Sequence, residues 1–245
     1  MSTQTSEITE PQYGIDVPGV VRTLAFTGAF AIVLSIATRS SLGPFAIPLE
    51  AIGVILLGQV MLMIRTSRVT KRQEWDEILD RFGFRGNERV LDVGCGTGLV
   101  SVLAANRLDR GKVTGVDVWR RKDISGNSAK TAKRNATAEG VAKRITFREC
   151  DARELSFGDG SFDVVLSSLA LHNLPSRTER GRAIQEIARV LTPGGRVAIL
   201  DVTRTNEYMN RLREAGFDDV TRSKRNWSLF PPARLVTATK PKAAS

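Results

Sequence analysis

The sequence predicts a doubly wound α/β domain that follows two apolar helices. Three observations carry this prediction. A short aliphatic run at residues 89–93 leads into a glycine-rich turn and then into a helical stretch. From residue 87 to residue 240, strand patterns and helix patterns alternate, which is typical of a largely parallel sheet. Two long apolar runs lie before that region, between residues 20 and 66.

The alternating region accounts for seven strands. Helices are predicted between most of the early strands, and the last two strand patterns follow one another with only Pro231-Pro232 between them. Two consecutive strands without a helix predict a terminal antiparallel hairpin. The predicted strands are residues 89–93, 112–117, 144–149, 162–167, 196–201, 218–227 and 234–239, and the predicted helices are residues 99–108, 127–140, 177–191 and 206–215.

The composition indicates the cellular compartment of the protein and the charge of its binding partners. The chain has 245 residues, 42% of them hydrophobic, which allows one α/β domain with an appendage. Its two cysteines, Cys95 and Cys150, form neither a metal-ligand pattern nor a disulfide framework, as expected in a reducing compartment. The formal net charge of +10 indicates an anionic partner, and both a membrane and a nucleic acid fit that charge.

The two apolar runs are long enough to be membrane spans. Residues 23–38 contain no charge, and residues 45–64 contain only Glu50, near their start, where we expect it at the membrane interface. A two-helix membrane hairpin over residues 20–66 is our preferred interpretation. Two alternatives remain: helices packed on a soluble domain, and a cleavable signal peptide, which the acidic N-terminal region and the second apolar run disfavour.

The basic residues that follow the second run predict the orientation of this hairpin. They are Arg65, Arg68, Lys71 and Arg72, and the turn between the runs has only Arg39. The positive-inside rule therefore places the rest of the chain in the cytoplasm, at a cell membrane whose anionic headgroups these residues could contact. Residues 1–19 are predicted to be a flexible tail and residues 67–86 a linker helix, which leaves residues 87–245 for the α/β domain.

The glycine-rich turn carries the main functional signal. Its pattern is Asp92-x-Gly94-x-Gly96-x-Gly98, which lacks the spacing of a dinucleotide fingerprint and the Gly-Lys-Ser/Thr of a phosphate loop. The turn resembles the first motif of the class I S-adenosylmethionine-dependent methyltransferases. That resemblance extends over nearly all of residues 87–240 and implies a Rossmann-like, seven-stranded methyltransferase sheet.

The resemblance also implies which residues bind S-adenosylmethionine. Asp117 would accept the ribose hydroxyls and Asp151 the adenine amino group, while Trp119 would either stack near the cofactor or be a buried edge tryptophan. The loop at residues 120–127 is longer than in common family members, and it is a candidate to close over the cofactor. The implied cofactor-binding residues are Asp92, Gly94, Cys95, Gly96, Gly98, Asp117, Val118, Trp119, Asp151, Ala152 and Ser168.

Residues 168–174 correspond to the loop in which members of the resembled family select their acceptor, and we call them the acceptor loop. They contain His172, the only histidine in the chain. It could act as a general base at neutral pH, or it could only pack and hydrogen-bond locally. Tyr208 and Trp227 are possible pocket residues, although we expect both to pack in the core. No metal-ligand set is evident.

These observations predict a membrane-anchored methyltransferase that acts on a small hydrophobic, thiol or lipid/quinone-like acceptor. An RNA methyltransferase is a second interpretation, although the basic residues are too scattered to form an obvious nucleic-acid groove. A third is a non-catalytic S-adenosylmethionine-binding membrane protein, and the presence of three cofactor motifs argues against it.

Overall fold

The computed structural model describes residues 10–120 and 122–242. Seven strands form one mixed sheet: β1 (Arg89–Val93), β2 (Lys112–Asp117), β3 (Ile145–Glu149), β4 (Phe162–Ser168), β5 (Leu191–Asp201), β6 (Asp218–Arg222) and β7 (Arg234–Thr239). Their spatial order is β3-β2-β1-β4-β5-β7-β6. The first five strands are parallel, and β7 is antiparallel to both β5 and β6. The predicted fold class, with its terminal antiparallel hairpin, is confirmed.

Helices cover both faces of the sheet. The helices of the α/β domain are α4 (Leu99–Ala105), α5 (Ala129–Ala138), α6 (Arg177–Val190) and α7 (Thr205–Glu214). Buried side chains of α4 and α5 form one core cluster with the sheet, and those of α6 and α7 form a second. The strand order reverses between β1 and β4, and in open α/β sheets ligands bind at such a reversal, beyond the carboxyl ends of the strands.

The N-terminal region is a helical hairpin. Helix α1 (Pro18–Leu42) and helix α2 (Ile47–Arg65) are joined by a 3₁₀ turn, Gly43–Ala46. They pack closely at Gly28 and Gly53, where an added Cβ on Gly53 would lie 2.7 Å from the carbonyl oxygen of Gly28. The hydroxyl of Ser35 donates to the carbonyl of Ala46, at 2.8 Å, and ties the turn to α1.

The outer surface of this hairpin is apolar. The helical run Pro18–Phe82 includes a segment that could cross a membrane by its length and composition, a property that signal sequences and soluble core helices share. Only 11% of its most apolar stretch is buried. Exposed large apolar side chains on the two helices include Phe26, Phe30, Val33, Ile36, Ile52, Val54, Ile55 and Met61.

The linker between the hairpin and the sheet is itself helical and largely buried. After a single π-helical turn, Thr66–Thr70, helix α3 (Lys71–Phe82) packs on the α4 face of the sheet. Trp75, Ile78 and Leu79 of α3 are each at most 1% exposed. This helix is therefore part of the core of the α/β domain as well as its connection to the hairpin.

The sequence predicts a flexible tail over residues 1–19. Residues 1–9 lie outside the described residues, but from residue 10 onward the segment is held by hydrogen bonds to the α/β domain. Asn135 of α5 bonds the backbone of Gln12 through both its oxygen and its amide nitrogen, and the hydroxyl of Tyr13 donates to Glu139. Short-range sequence patterns miss this ordering because Asn135 lies 123 residues from Gln12 and Glu139 lies 126 residues from Tyr13.

Two of the basic residues predicted to face headgroups lie elsewhere. Lys71 is 7% exposed and pairs with Asp16 at 2.8 Å, and Arg72 pairs with Glu139 at 2.7 Å. Lys71 is buried and therefore requires its partner, whereas the side chain of Arg72 is 37% exposed. Arg65 and Arg68 remain exposed after α2.

Candidate active site

The glycine-rich loop joins β1 to α4 in a conformation that requires glycine. Gly94, Gly96 and Gly98 have φ angles of 74°, 55° and 88°, in the left-handed region. A Cβ on Gly94 would lie 2.2 Å from the Cβ of Ala170, so the acceptor loop can approach only a residue without a side chain. The backbone N–H groups of Gly94 and Cys95 both donate to the carbonyl of Val116, which ties the loop to β2.

A cleft lies beyond the carboxyl ends of β1, β2 and β4. It holds about 1010 Å³ of empty space, part of it open to solvent. Its walls come from the glycine-rich loop, the ends of the strands, the acceptor loop and the loop that follows β2. The cleft thus occupies the position at which this type of sheet binds ligands.

Asp117, at the end of β2, closes the glycine-rich loop. Its carboxylate accepts the backbone N–H of Gly96 at 2.8 Å and that of Trp119 at 2.6 Å. Burial raises the pKa of Asp117, and the two N–H donors oppose that rise. Each carboxylate oxygen can accept a further hydrogen bond, so Asp117 can hold the loop and a ligand hydroxyl at once.

Asp92 is a fully buried carboxylate at the floor of the cleft. Ser101 donates to its Oδ2 at 2.6 Å, but Oδ1 has no hydrogen-bond partner among the described residues. Burial raises the pKa of Asp92 to about 7. A second buried acceptor, Oδ1 of Asn127, also lacks a partner in the described part of the chain. S-adenosylmethionine carries an ammonium group and ribose hydroxyls, so these orphaned acceptors fit its donors.

Asp151, beyond the end of β3, is held by Arg153. The guanidinium and the backbone N–H of Arg153 both donate to it, the ion pair measures 2.6 Å, and Arg153 also contacts Glu179. The hydrogen bonds from Arg153 hold the pKa of Asp151 below its usual value. Asp151 therefore stays ionised at neutral pH and lines the cleft as a fixed acceptor.

The open side of the cleft is covered by residues from the N-terminal segment and α3. The N–H of Ser125 donates to the carbonyl of Ile15, and the N–H of Val17 donates to the carbonyl of Asp123, so this segment pairs with the long loop after β2. Asp16 and its partner Lys71 line the cleft themselves. The indole N–H of Trp75 donates to the hydroxyl of Ser168, at 2.8 Å, at the end of β4.

His172 lies beside a buried carboxylate rather than in the cleft wall. Its Nδ1 is 2.6 Å from Oδ1 of Asp201, although the two groups are poorly aligned for a hydrogen bond, and its backbone N–H donates to Oδ2. Asp201 is fully buried and also accepts the hydroxyl of Tyr208. Burial alone would lower the pKa of His172, but the carboxylate of Asp201 outweighs it and raises that pKa.

Most of the residues predicted from the motifs lie together. The cleft is lined by Asp92, Gly94, Cys95, Gly96, Asp117, Val118, Asp151, Ala152 and Ser168. Gly98 contacts Phe147 behind the loop, and the indole of Trp119 donates to the carbonyl of Gly96 while packing against the core. Neither residue is part of the cleft lining. Trp119 is partly buried and its N–H holds the loop, so its contact with the cofactor stays a prediction.

The other two aromatic residues that the sequence singled out differ in their exposure to solvent. Tyr208 is fully buried, as expected, whereas Trp227 is 75% exposed, so the expectation that it packs in the core is wrong. Sequence reasoning missed Asp16, Lys71, Asn127 and Asp201, which only the folded chain brings to the cleft or to His172. In the described part of the chain, His, Cys, Asp and Glu form no group that could hold a metal ion.

Known proteins match the α/β region. Residues 91–199 match a family described as a methyltransferase domain. The 27-O-demethylrifamycin SV methyltransferase of Amycolatopsis mediterranei is 32% identical over 62% of this chain and 60% of its own length. The ubiquinone/menaquinone biosynthesis C-methyltransferase UbiE of Pseudomonas putida is 37% identical over 54% and 49%. The chain thus spans less than two thirds of these relatives.

Solved structures show the same fold. A SAM-dependent methyltransferase from Methanosarcina mazei superposes with a TM-score of 0.55 and 20% identity, covering 67% of this chain and 97% of that structure. The cyclase SpnF superposes with a TM-score of 0.61 and 22% identity, over 73% and 84%. Since a cyclase shares the fold, the fold alone does not determine the activity. Residues 91–199 therefore match a methyltransferase-domain family, and the sheet has the fold of solved S-adenosylmethionine-dependent methyltransferases.

Proposed function

We propose that this protein is a membrane-anchored methyltransferase whose catalytic domain faces the cytoplasm and whose acceptor is a small apolar molecule of the quinol, phenol or thiol type. The observation that carries the proposal is the position of the cleft. It joins the cofactor loop to Asp16 and Lys71, which lie at the two ends of the apolar hairpin.

The chain's own groups account for cofactor binding. The backbone of the glycine-rich loop lets the cofactor lie close, since glycine presents no side chain. Asp117 accepts ribose hydroxyls, Asp151 accepts the adenine amino group, and Asp92 with Asn127 supplies acceptors for the remaining donors. When bound, S-adenosylmethionine supplies a methyl group on a sulfonium, which is already activated for transfer.

Methyl transfer then depends mainly on holding the acceptor in line. Alignment of two reactants alone can supply roughly 7–11 kcal/mol of a barrier. A thiol or an acidic phenol ionises with little help from the protein. His172 lies beside the buried carboxylate of Asp201 and is not part of the cleft lining, so its ring does not border the space that an acceptor would occupy. We therefore assign His172 to supporting the acceptor loop.

The names of relatives support an apolar acceptor. Besides the UbiE protein, they include a demethylmenaquinone methyltransferase from Lactiplantibacillus plantarum, 32% identical over 56% of this chain. Quinones dissolve in membranes, and an apolar hairpin next to the cleft would bring the domain to them. The exposed cations Arg65 and Arg68 after α2 favour the cytoplasmic side.

The direct test is an acceptor screen with methyl-labelled S-adenosylmethionine. Full-length protein in mild detergent would be offered quinols, phenols, thiols and single-stranded RNA as separate classes. We expect label in one of the first three classes, and loss of that label in the Asp117→Asn variant. Transfer to RNA alone would contradict the acceptor class, and cofactor binding without transfer to any class would favour a non-catalytic role.

A further inference from the structure

A second cleft lies on the same edge of the sheet, beyond the ends of β5 and β6. It holds about 1090 Å³ of empty space, part of it open to solvent. We call it the arginine cleft because six arginines line it: Arg177, Arg180, Arg204, Arg222, Arg225 and Arg234. None of the cofactor residues lies in it.

Most of this positive charge is not neutralised by the protein. Glu207 is the one carboxylate in the lining, and it already pairs with Arg180 at 3.0 Å. Among the described residues, no carboxylate lies within ion-pair distance of Arg222, Arg225 or Arg234. The Nε of Arg234 is buried without a hydrogen-bond partner in the described chain, and burial lowers its pKa, with further lowering from Arg222 and Arg225. Clustered cations of this kind favour a bound anion.

The first turn of α7 adds further donors. Its N-cap residue, Arg204, makes no side-chain cap, and Thr205, Asn206 and Glu207 line the cleft. The first N–H groups of a helix have no partner within the helix, and the helix dipole makes that end positive. Guanidinium groups and a helix N-terminus together are the donor set that phosphate groups prefer.

The position of the arginine cleft indicates which kind of molecule carries the phosphate. The loop between β6 and β7 carries Arg225 and Trp227, and its Phe230 donates a backbone N–H to the hydroxyl of Thr66, at 2.8 Å. Thr66 directly follows the second apolar helix. Trp227 is 75% exposed, with the guanidinium of Arg225 over its ring at 5.6 Å. Exposed tryptophan beside arginine is typical of the membrane interface.

We propose that the arginine cleft binds the phosphate of an anionic phospholipid headgroup, with Trp227 at the level of the interface. The proposal rests on the proposed membrane anchoring and adds a lipid-binding site to it. Such a site would fix the rotation of the domain on the membrane. The hairpin joins the domain through the buried helix α3, and lipid binding in the cleft would hold the face that carries Trp227 against the membrane.

The test uses the full-length protein in a neutral detergent. Dihexanoyl phosphatidylglycerol, dihexanoyl phosphatidylcholine and inorganic phosphate would be titrated separately, with binding followed by calorimetry and by the total tryptophan fluorescence. The variant is Arg222→Gln/Arg225→Gln. Its matched control, Lys130→Gln/Lys133→Gln, removes two exposed cations from α5.

We expect saturable binding of phosphatidylglycerol and much weaker binding of phosphatidylcholine. At about fivefold for each cation near a headgroup, the arginine variant should bind roughly 30-fold more weakly, and the lysine variant should bind normally. Unchanged S-adenosylmethionine affinity would show that both variants are folded. Equal weakening in the two variants would overturn the proposal, since it would indicate only nonspecific attraction.

Two further outcomes would also overturn it. Inorganic phosphate that binds as tightly as phosphatidylglycerol would show an anion site without lipid recognition. Single-stranded RNA that binds tightly, and only with both arginines present, would assign the cleft to nucleic acid. Flotation with neutral phosphatidylcholine vesicles tests the hairpin separately, because it does not require the arginines. If the protein does not float with these vesicles but still binds phosphatidylglycerol, the membrane anchor is rejected and the lipid-binding site is retained.

Discussion

Asp117 combines a structural and a ligand-binding role in one carboxylate. We expect Asp117→Asn to weaken S-adenosylmethionine binding by about 1.5–3 kcal/mol, roughly 10- to 150-fold, the value of hydrogen bonds to a charged group. Calorimetry measures this change. Asp163→Asn is the control, because Asp163 bonds Arg89 among the described residues and lies at the opposite end of the strands. Unchanged affinity in a folded Asp117→Asn variant would remove Asp117 from the site.

Asp92 should make cofactor affinity depend on pH. Its pKa of about 7 lies above the ordinary value because of burial, so the free protein holds Asp92 largely protonated below pH 7. A cationic ligand group favours the ionised form. Affinity should therefore fall by up to about tenfold per pH unit as the pH drops below 7. Asp92→Asn should remove this dependence, and calorimetry from pH 6 to pH 8.5 measures both proteins.

The same pKa shift makes a prediction about stability. A carboxyl whose folded pKa is raised loses stability as pH rises from its unfolded pKa near 4 to its folded pKa near 7. Without ligand, Asp92→Asn should therefore be more stable than the wild type above pH 7, by up to about 4 kcal/mol. A lower unfolding temperature of the variant at pH 8 would contradict the assignment of Asp92 as an uncompensated buried charge.

His172 is the residue whose two interpretations differ most. As the counter-ion of Asp201, it should contribute stability that is present below pH 6.5 and lost as pH rises through its raised pKa. His172→Ala should then lower the turnover rate only a few-fold and flatten the stability profile. Steady-state kinetics and thermal unfolding measure these effects. A rate loss of about 10²–10⁴-fold with normal cofactor affinity would instead identify a general base.

At the scale of elements, the N-terminal segment and α3 hold each other through Asp16 and Lys71. Removing one partner of a mostly buried pair leaves the other uncompensated. We expect Asp16→Asn to destabilise the domain by about 1–3 kcal/mol, and Lys71→Met in the same chain to restore most of that loss. Thermal unfolding of both variants in detergent tests this. An unchanged unfolding temperature for Asp16→Asn would show that the pair contributes nothing.

The sequence predicted the strands and helices better than it predicted the residues that cover the cleft. Strands β1, β2 and β7 match their predicted bounds, because their aliphatic runs are local signals. Helix α5 begins at Ala129 rather than 127 because the hydroxyl of Ser128 accepts the N–H of Thr131 and caps it. Strand β5 extends back to Leu191, since Leu191 pairs with Phe162 of β4 and the N–H of Gly194 donates to the carbonyl of Lys240.

The site residues also fall into two groups: those that a short motif predicts and those that only the folded chain brings together. Asp92, Gly94 and Gly96 belong to one short motif, and its residue types alone indicate a ligand. The partner of His172, Asp201, lies 29 positions along the chain at the end of another strand. Asp16 and Lys71 are 55 positions apart and meet only because the intervening chain folds back as a hairpin. Contacts of this kind leave no local pattern.

At the scale of the whole molecule, the hairpin and the domain are separable. The backbone nitrogen of Asp16 lies 3.1 Å from the hydroxyl of Ser67, so the chain leaves and re-enters the domain at nearly the same point. A short Gly/Ser linker can therefore replace residues 18–65 without displacing Asp16 or α3. Deleting residues 1–64 outright differs from this, because it also removes the segment that pairs with the loop after β2.

The variant in which a Gly/Ser linker replaces residues 18–65, called the excised variant, should stay in solution without detergent. It should bind S-adenosylmethionine like the full chain, since the cofactor residues and the segment that covers the cleft remain. The deletion of residues 1–64 should also be soluble, but we expect weaker cofactor binding, because Asp16 and its pairing with the loop are lost. Membrane fractionation and calorimetry of the three proteins measure both properties. A full-length protein that stays in the supernatant without detergent would reject the membrane anchor. Loss of cofactor binding in the excised variant would show instead that the hairpin helps the domain to fold.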